Sequence, residues 1–479
     1  MAMTENSRLG FRTDMTSKAG DSPSGTGASD ITVGQGYSSN RRIWQRLGAI
    51  AIVTCVIPAC VNTKYQTNAP VQSFVVSDEP RATAVGLEIL AQGGRAMDAA
   101  AAMALAMTTT LPSRAGLAGG GVCVVFDAEK KTTRSLDFLP RPVGDGGVVG
   151  APAMLRGIDA LQANGGKLRW EQAVAPAEQL ARGGATVSRA FATDLANYGS
   201  RLSADPAASA LFRPNGVVLT EGATLRQNAL ADTLSLIRRS GSISLANGAL
   251  SQPYAQAARI DPQQLRSVAA RSADATVIKV DGISLNLPSL PETSGGKQLV
   301  DAWASASSGR DLNSRVARLK QSLGATGQGT NAPGAGLAVI DPWENSVACV
   351  LTMGAPFGTG RAVPGTGMLL AAPVNSADFG APAVATTMIG RTLMAGGASA
   401  GGEDGPNAAA AALLGASIAA YEEQRGDRIQ GARANAGEPG RVALINCQVS
   451  RENGLKECQA TTDPRANGSG HMIETAGDR

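Results

Sequence analysis

Chemistry in this chain must start from hydroxyls, carboxylates and thiols, because imidazole is almost absent. The only histidine is His471, near the C-terminus. That removes a histidine-based triad or a histidine-rich metal site unless His471 folds back. No metal ligands cluster in the sequence, and no metal or cofactor is expected. Gly119–Gly121 is glycine-rich, but no Gly-Lys-Ser/Thr follows it and no spaced acid supports a dinucleotide site. The chain is organised around Gly329 to Leu370. Two apolar runs there, Leu337 to Ile340 and Val347 to Thr352, are separated by Asp341 and a Pro342-Trp343-Glu344-Asn345 turn. They read as paired strands. Phe357-Gly358-Thr359-Gly360 and Gly365-Thr366-Gly367 then form a glycine-rich loop where backbone could approach a ligand closely. Ser346 and Thr352 read as turn and strand residues, while Thr330 lies in a flexible run just upstream.

The six cysteines divide by position. Cys447 and Cys458 flank Asn453-Gly454, a strong turn signal. With a loop from Arg451 to Gly454, residue 447 falls opposite 458, and a hairpin-closing disulfide is expected, as suits an oxidising compartment. Cys123 and Cys349 lie in apolar strand runs and are expected as inert buried thiols. Cys55 and Cys60 belong to the N-terminal region. Arg41, Arg42 and Arg46 precede an apolar run from Leu47 to Ala59, too short to span a bilayer but suited to a signal-peptide core. The run ends Val56-Ile57-Pro58-Ala59-Cys60, which resembles a bacterial lipobox. The resemblance implies that Cys60 is acylated and anchors an exported protein on the periplasmic side of the envelope. An ordinary cleaved signal peptide and an uncleaved anchor are the alternatives. Residues 1–46 read as a disordered extension or an over-long gene start, 47–60 as signal core and lipobox, and 61–76 as a tether.

The elements that must position any site are legible next. Hydrophobic residues make up 43% of the chain but aromatics only 4%, with 58 glycines, so alanine, valine and leucine must do most of the packing. A net charge of +4 is too weak to suggest nucleic acid. Ser77 or Asp78 is placed to cap a helix with Pro80 in its first turn, stopped at Gly93-Gly94. The segment Met97 to Thr109 is apolar all round and should be a buried helix. Strands are expected at Val122–Asp127 and Thr132–Phe138. Helices are expected from Gly150–Gly157 onward to Gly165-Gly166, at Trp170–Arg182, Gly222–Ser240, Lys297–Ala304, Leu312–Leu323 and Asn407–Tyr421, the last opened by a glycine-rich loop from Ala395 to Gly405.

Read in order, several of these segments resemble the γ-glutamyltranspeptidase family of N-terminal-nucleophile (Ntn) hydrolases. GGRAMDAAAAMALAM is similar to that family's Gly-Gly-Asn-Ala-Val-Asp-Ala-Ala segment, with Arg95 for Asn. Ser289 to Gly296 resembles its Pro-Pro-Ser-Ser-Gly-Gly turn, and Thr462-Asp463-Pro464-Arg465 its terminal Asp-Pro-Arg. The resemblance runs from about Ser77 to His471. It implies an α+β, Ntn-hydrolase-like four-layer αββα sandwich, with 77–333 as a large-subunit-like region and 334–479 as a small-subunit-like region of one fold. The family's nucleophile is a threonine freed by self-cleavage. Counting back from Asp341, that position holds Gly334, followed by Ala335 and Gly336. Thr330 is the fallback nucleophile, reached only by a slipped alignment. The family's carboxylate-gripping arginine position holds Leu139, with Arg141 two residues on as a possible substitute. Asp378 retains part of the family's amide-and-acid pair, and the two oxyanion-stabilising serines are missing from Pro382 to Thr387.

The leading expectation is therefore a γ-glutamyltranspeptidase-like envelope lipoprotein that stays one chain, lacks the usual activity and binds a ligand or partner in the old cleft. Its partner would be a γ-glutamyl small molecule or an envelope protein, with the membrane reached through the lipid. One alternative is a working γ-glutamyl hydrolase or transferase, acting on glutathione or γ-glutamyl peptides through Thr330. Another is a purely structural envelope protein. Retained polarity around Arg141 and Asp378 favours binding, and a closed apolar cleft favours structure.

Overall fold

A computed structural model of the chain describes residues 71–144, 146–280, 282–289, 314, 318, 334–374, 380–387, 389, 391–400, 441–449, 456–462 and 467–475. Strand β1 (Val71–Ser77) leads to helices α1 (Pro80–Ala91) and α2 (Ala96–Thr110), then to the hairpin of β2 (Gly120–Asp127) and β3 (Thr132–Phe138). A short pair, β4 (Pro142–Val143) and β5 (Val149–Gly150), precedes helices α3 (Met154–Ala163) and α4 (Trp170–Gly183). The two-residue strand β6 (Ala185–Thr186), helices α5 (Arg189–Tyr198) and α6 (Pro206–Phe212), strand β7 (Thr224–Leu225) and helices α7 (Asn228–Ser240) and α8 (Ser251–Ala258) follow. Then come β8 (Arg271–Asp274), β9 (Thr276–Val280) and β10 (Ile283–Leu287). The second half is strands: β11 (Gly334–Ile340), β12 (Ser346–Thr352), β13 (Ala362–Val363), β14 (Met368–Leu369), β15 (Gly380–Thr387), β16 (Leu393–Ala400), β17 (Arg441–Val449), β18 (Lys456–Thr462) and β19 (Ser469–Thr475).

Two antiparallel sheets result. The first has the order β19-β1-β11-β12-β2-β3-β8, and the second β18-β17-β16-β15-β10-β9. Period-two alternation sends the two faces of each central strand to different layers. Val75, Cys123, Val125, Leu337, Val339, Val347, Cys349 and Leu351 pack under the helices. Phe74, Val76, Val124, Phe126, Ala338, Ile340 and Ala348 meet Val384, Leu393, Ala443 and Ile445 of the second sheet. Helix α2 is buried at every position, which an Ala- and Met-rich surface without polar stripe requires. Its neighbour α1 comes very close, since a Cβ on Gly86 would lie 2.6 Å from the Met103 sulfur. The described residues thus form a helix layer and two stacked sheets of an α+β, Ntn-hydrolase-type fold. The expected helices at 297–304 and 407–421 lie outside the described residues, and of 312–323 only Ser314 and Arg318 are described, both helical.

Several expectations are corrected. Residues 71–76 are not tether but part of β1, because Phe74, Val75 and Val76 are buried between β19 and β11. Helix α1 is capped by neither Ser77 nor Asp78. The cap is Glu79, whose Oε2 accepts from the Ala82 N–H at 2.9 Å. Ala395 to Ala400 is strand β16 and not loop, since small residues let the sheets approach: a Cβ on Gly396 would meet the Ser346 hydroxyl at 2.6 Å. The helix expected from Gly222 begins at Asn228, after β7. The helix expected to begin within Gly150–Gly157 does so, at Met154, after the β5 strand.

Cys123 and Cys349 are a disulfide and not free thiols. They sit directly opposite on β2 and β12, with Cα atoms 4.1 Å apart. Apolar surroundings were read as protecting two separate thiols, but strand order brings them together. Cys447 and Cys458 also pair, in the expected register.

Candidate functional site

Gly334 opens β11 at one end of the first sheet, paired with Thr352 of β12, which pairs with Gly120 of β2. Gly334 is buried and presents no side chain. The start of this strand is braced from β1. The Asp78 N–H donates to the Gly336 carbonyl at 3.0 Å, and the Gly336 N–H donates back to Asp78 Oδ2 at 2.8 Å. Thr352 Oγ1 accepts from the Gly354 N–H at 2.8 Å, closing a local turn. The other end of β11 is fixed by Asp341. Its carboxylate accepts from the Trp343 and Asn345 N–H groups, the Asn345 amide and the Ala96 N–H at the start of α2. Burial pushes this carboxyl above its ordinary value, and these donors work against the rise.

Leu139 follows β3 and is 3% exposed, packed with Val122, Val350 and Ala398 between the sheets, with Val374 alongside. The position where the resemblance implies a gripping arginine is therefore filled by a hydrocarbon plug. Arg141 lies between Pro140 and Pro142, which keep the segment in a turn. Its Nη2 donates to Asp137 Oδ2 at 2.7 Å, and Asp137 Oδ1 accepts the Leu139 N–H at 3.1 Å. Arg141 Nη1 is buried and has no hydrogen-bond partner among the described residues. A buried guanidinium nitrogen without an acceptor is costly, and an incoming carboxylate would relieve it.

Most glycines at the glycine-rich loop are approached by the protein's own backbone, although Gly365 faces open space. Gly354, Gly358 and Gly360 have φ of +77°, +59° and +73°. A Cβ on each would lie 2.2 Å from the Ala372 carbonyl oxygen, 2.1 Å from that of Leu370 and 2.3 Å from that of Arg201. The glycines permit close packing of chain on chain. Phe357 shares the left-handed conformation at φ +61° and packs its ring against Phe191 and Phe212.

Beneath this loop is an ion pair that sequence reasoning missed. Arg114 donates from Nε and Nη2 to the two carboxylate oxygens of Asp194 on α5, each at 2.7 Å, and Ser113 Oγ donates to the same carboxylate at 2.6 Å. The paired side chains are 2% and 3% exposed. Burial pulls the guanidinium down, but the charge and hydrogen bonds of Asp194, with the charge of Asp78, hold it above its ordinary value. The available signal was an arginine set in an otherwise small and apolar stretch, Ser113 to Gly121.

Elsewhere, a cleft of about 690 Å³ opens at the N-termini of α1 and α5, lined by Glu79, Arg81, Ser188, Arg189, Glu221 and Asn467 among others. Glu79 at its edge is buried, and burial raises its carboxyl above the ordinary value against the hydrogen bonds from Ala82 and Thr110. Thr386 is a buried residue of β15, and Thr387 closes the turn to β16, as their strand reading implied. Thr330, Asp378 and Cys60 lie outside the described residues. Among the described residues, no three metal-ligating side chains gather, and no helix is long and apolar enough to cross a membrane.

Comparison with known proteins gives the same direction as the motif order. Residues 82–142 and 139–261 match the family model for gamma-glutamyltranspeptidase, and both stretches lie ahead of β11. A glutathione hydrolase proenzyme of Bacillus subtilis (strain 168) is 31% identical over 205 residues, which are 38% of this chain and 35% of that protein. Glutathione hydrolase 2 of Arabidopsis thaliana is 34% identical over 191 residues, 36% of this chain and 33% of that one. The match thus spans about a third of these relatives' length. Among solved structures, a cephalosporin acylase from Bacillus halodurans superposes with a TM-score of 0.63 at 18% identity, covering 84% of this chain and 96% of that one. That likeness establishes the shared fold.

Proposed function

We propose that this chain is a divergent member of the gamma-glutamyltranspeptidase family that neither processes itself nor transfers γ-glutamyl groups, but binds a carboxylate-bearing ligand at the old site. The observation that carries the reading is Gly334. Ntn chemistry needs a hydroxyl or thiol on a residue whose own amine is free to act as base, and the position the motif order assigns to it has neither. The Leu139 plug supports the same conclusion, because the carboxylate clamp is replaced by packing. Nucleophile, base and clamp act as a unit, so their joint loss is not a graded effect. Binding is favoured over a purely structural role by Arg141, whose Nη1 is buried with no acceptor among the described residues.

We further propose that the protein works outside the cytoplasm, anchored through Cys60. The lipobox-like segment supports this, and so do two disulfides, which belong to oxidising compartments.

The test starts from the exported full chain, measured as reduced intact mass and assayed with a chromogenic γ-glutamyl anilide. One uncut chain and no anilide release are expected. Glutamate should raise the melting temperature, and Arg141→Leu should abolish that rise. A break before Thr330 with anilide hydrolysis overturns the inactive reading in favour of a displaced nucleophile. No response to glutamate or any carboxylate tested leaves the structural role as the better account.

A further inference from the structure

The two cysteines joined at the middle of the first sheet are 226 positions apart in sequence. Cys123 belongs to β2, in the large-subunit-like part of the chain, and Cys349 to β12, in the small-subunit-like part. Residues 330–334, where the resemblance places self-cleavage, fall between them. We propose that this disulfide is a covalent junction that keeps the two parts one molecule whether or not the backbone between them is intact. The inference stands on strand order and is independent of the reading given for Arg141.

Three observations support it. The ladder places Cys349 directly opposite Cys123, so closure needs no movement of either strand. Both side chains are buried, 0% and 1% exposed, in the cluster under α2. No reductant reaches them in the folded protein, which makes the bond a fixture and not a redox switch. The other disulfide, Cys447–Cys458, lies wholly on the C-terminal side and cannot serve the same purpose. The junction also clamps the strands that end at the candidate site without occupying it. Cys349 faces the helices, its neighbours Ala348 and Val350 face the second sheet, and the same strand ends at Thr352 opposite Gly334.

The chemistry is thiol–disulfide exchange with an oxidising dithiol–disulfide partner of the extracytoplasmic compartment. The Cys123 and Cys349 thiols give up two protons and two electrons, the Sγ–Sγ bond forms, and the partner's disulfide is reduced to two thiols. The exchange must precede closure of the helix layer, because both sulfurs are inaccessible afterwards.

One consequence concerns measurement. A hydrolytic cut anywhere from 124 to 348 adds one water and leaves a single species until the disulfide is reduced. An unreduced mass or gel therefore cannot by its band count report processing.

The experiment is a non-reducing peptide map of the full chain secreted into an oxidising compartment. The protein is unfolded in guanidinium with iodoacetamide and no reductant, then digested with trypsin. The expected product is Ala115–Lys130 linked to Gln321–Arg361, with neither cysteine alkylated. The same map separates the two questions. A linked partner beginning at Thr330 would report processing while leaving the junction intact. Recovery of Cys123 and Cys349 as alkylated peptides, or of Cys123 linked to Cys447 or Cys458, overturns the proposal. As a second readout, brief trypsin treatment of the folded protein should cut at the exposed Lys130-Lys131 turn. The resulting fragments should separate on a denaturing gel only after reduction. In a Cys123→Ala/Cys349→Ala variant they should separate without it. Should that variant fail to fold, the wild-type map alone decides.

Discussion

The buried ion pair under the glycine loop allows the sharpest calculation. Asp194→Asn keeps the shape of the side chain and removes its charge. Arg114 would then stay buried at 1% exposure, with Asp78 as the remaining anion whose charge it feels. Two contacts of 2.7 Å to an anion would become one to an uncharged oxygen, with the new amide NH2 facing the other guanidinium donor, and the Ser113 hydroxyl would lose a carboxylate acceptor. Breaking one side of such a pair costs about 3–5 kcal/mol, because the uncompensated charge stays in the interior. The lower figure is roughly a hundredfold in the folding equilibrium. Replacing both partners, as Arg114→Met with Asp194→Leu, removes the stranded charge and should recover most of that loss. Urea unfolding followed by circular dichroism, with the disulfides intact, measures both. The loss should also persist in high salt, since a buried pair is poorly screened. A single variant within about 1 kcal/mol of the parent, or a double variant as damaged as the single, would refute the claim that this pair is held by mutual burial.

Other outcomes follow from the same geometry. Gly358→Ala combines a left-handed φ with a Cβ 2.1 Å from the Leu370 carbonyl oxygen. It should cost more than the about 1–3 kcal/mol of backbone strain alone, read as a lowered melting temperature. Gly334→Thr with Ala335→Thr should not restore anilide hydrolysis, because Leu139 still fills the clamp position; release of the chromogenic anilide checks this. Glu79 titrates above the ordinary 4.5 in the folded state. The folded protein therefore binds the proton more tightly, and stability falls as pH rises from about 4.5 toward the raised value. Glu79→Gln, which keeps an acceptor for the Ala82 N–H, should flatten that decline and stabilise the protein at neutral pH. Removing Cys123–Cys349 opens a far longer loop than removing Cys447–Cys458. Chain entropy predicts losses of about 5 and about 3 kcal/mol respectively; equal losses by denaturant titration would contradict that ordering.

What the sequence made legible was whatever is local. The β11–β12 pair, the β2–β3 hairpin, the buried α2 and the Cys447–Cys458 register all depend on periodicity or a turn within a few residues. Non-local pairing was out of reach. Nothing near Cys123 reveals that β12 lies beside it, so two apolar contexts were read as two free thiols. The Arg114–Asp194 pair spans 80 positions and left no trace in either segment alone. Glycine was ambiguous for a related reason. Gly354, Gly358 and Gly360 have the conformation expected of a ligand loop, but what approaches them is the protein's own backbone. At the candidate site, residue identity at 334, 139 and 141 was readable directly. The Leu139 plug and the orphaned Arg141 nitrogen required the packing.

Strand order in the first sheet also dictates when this protein can finish folding. The neighbours β1 and β2 both come from the early part of the chain, yet they never touch; β11 and β12 are inserted between them. Until some 200 further residues emerge from the ribosome, β2 presents a bare row of amides and carbonyls along one edge and β1 along both, because its other neighbour, β19, comes from the C-terminal end. Such edges recruit other chains, and long-range pairing of this kind is slow. The N-terminal part carrying the family match is therefore not an autonomous unit. Residues 71–289 made alone should need a holdase to stay in solution. The same delay would keep the chain unfolded long enough to be threaded through a translocation channel, which is compatible with the export proposed above.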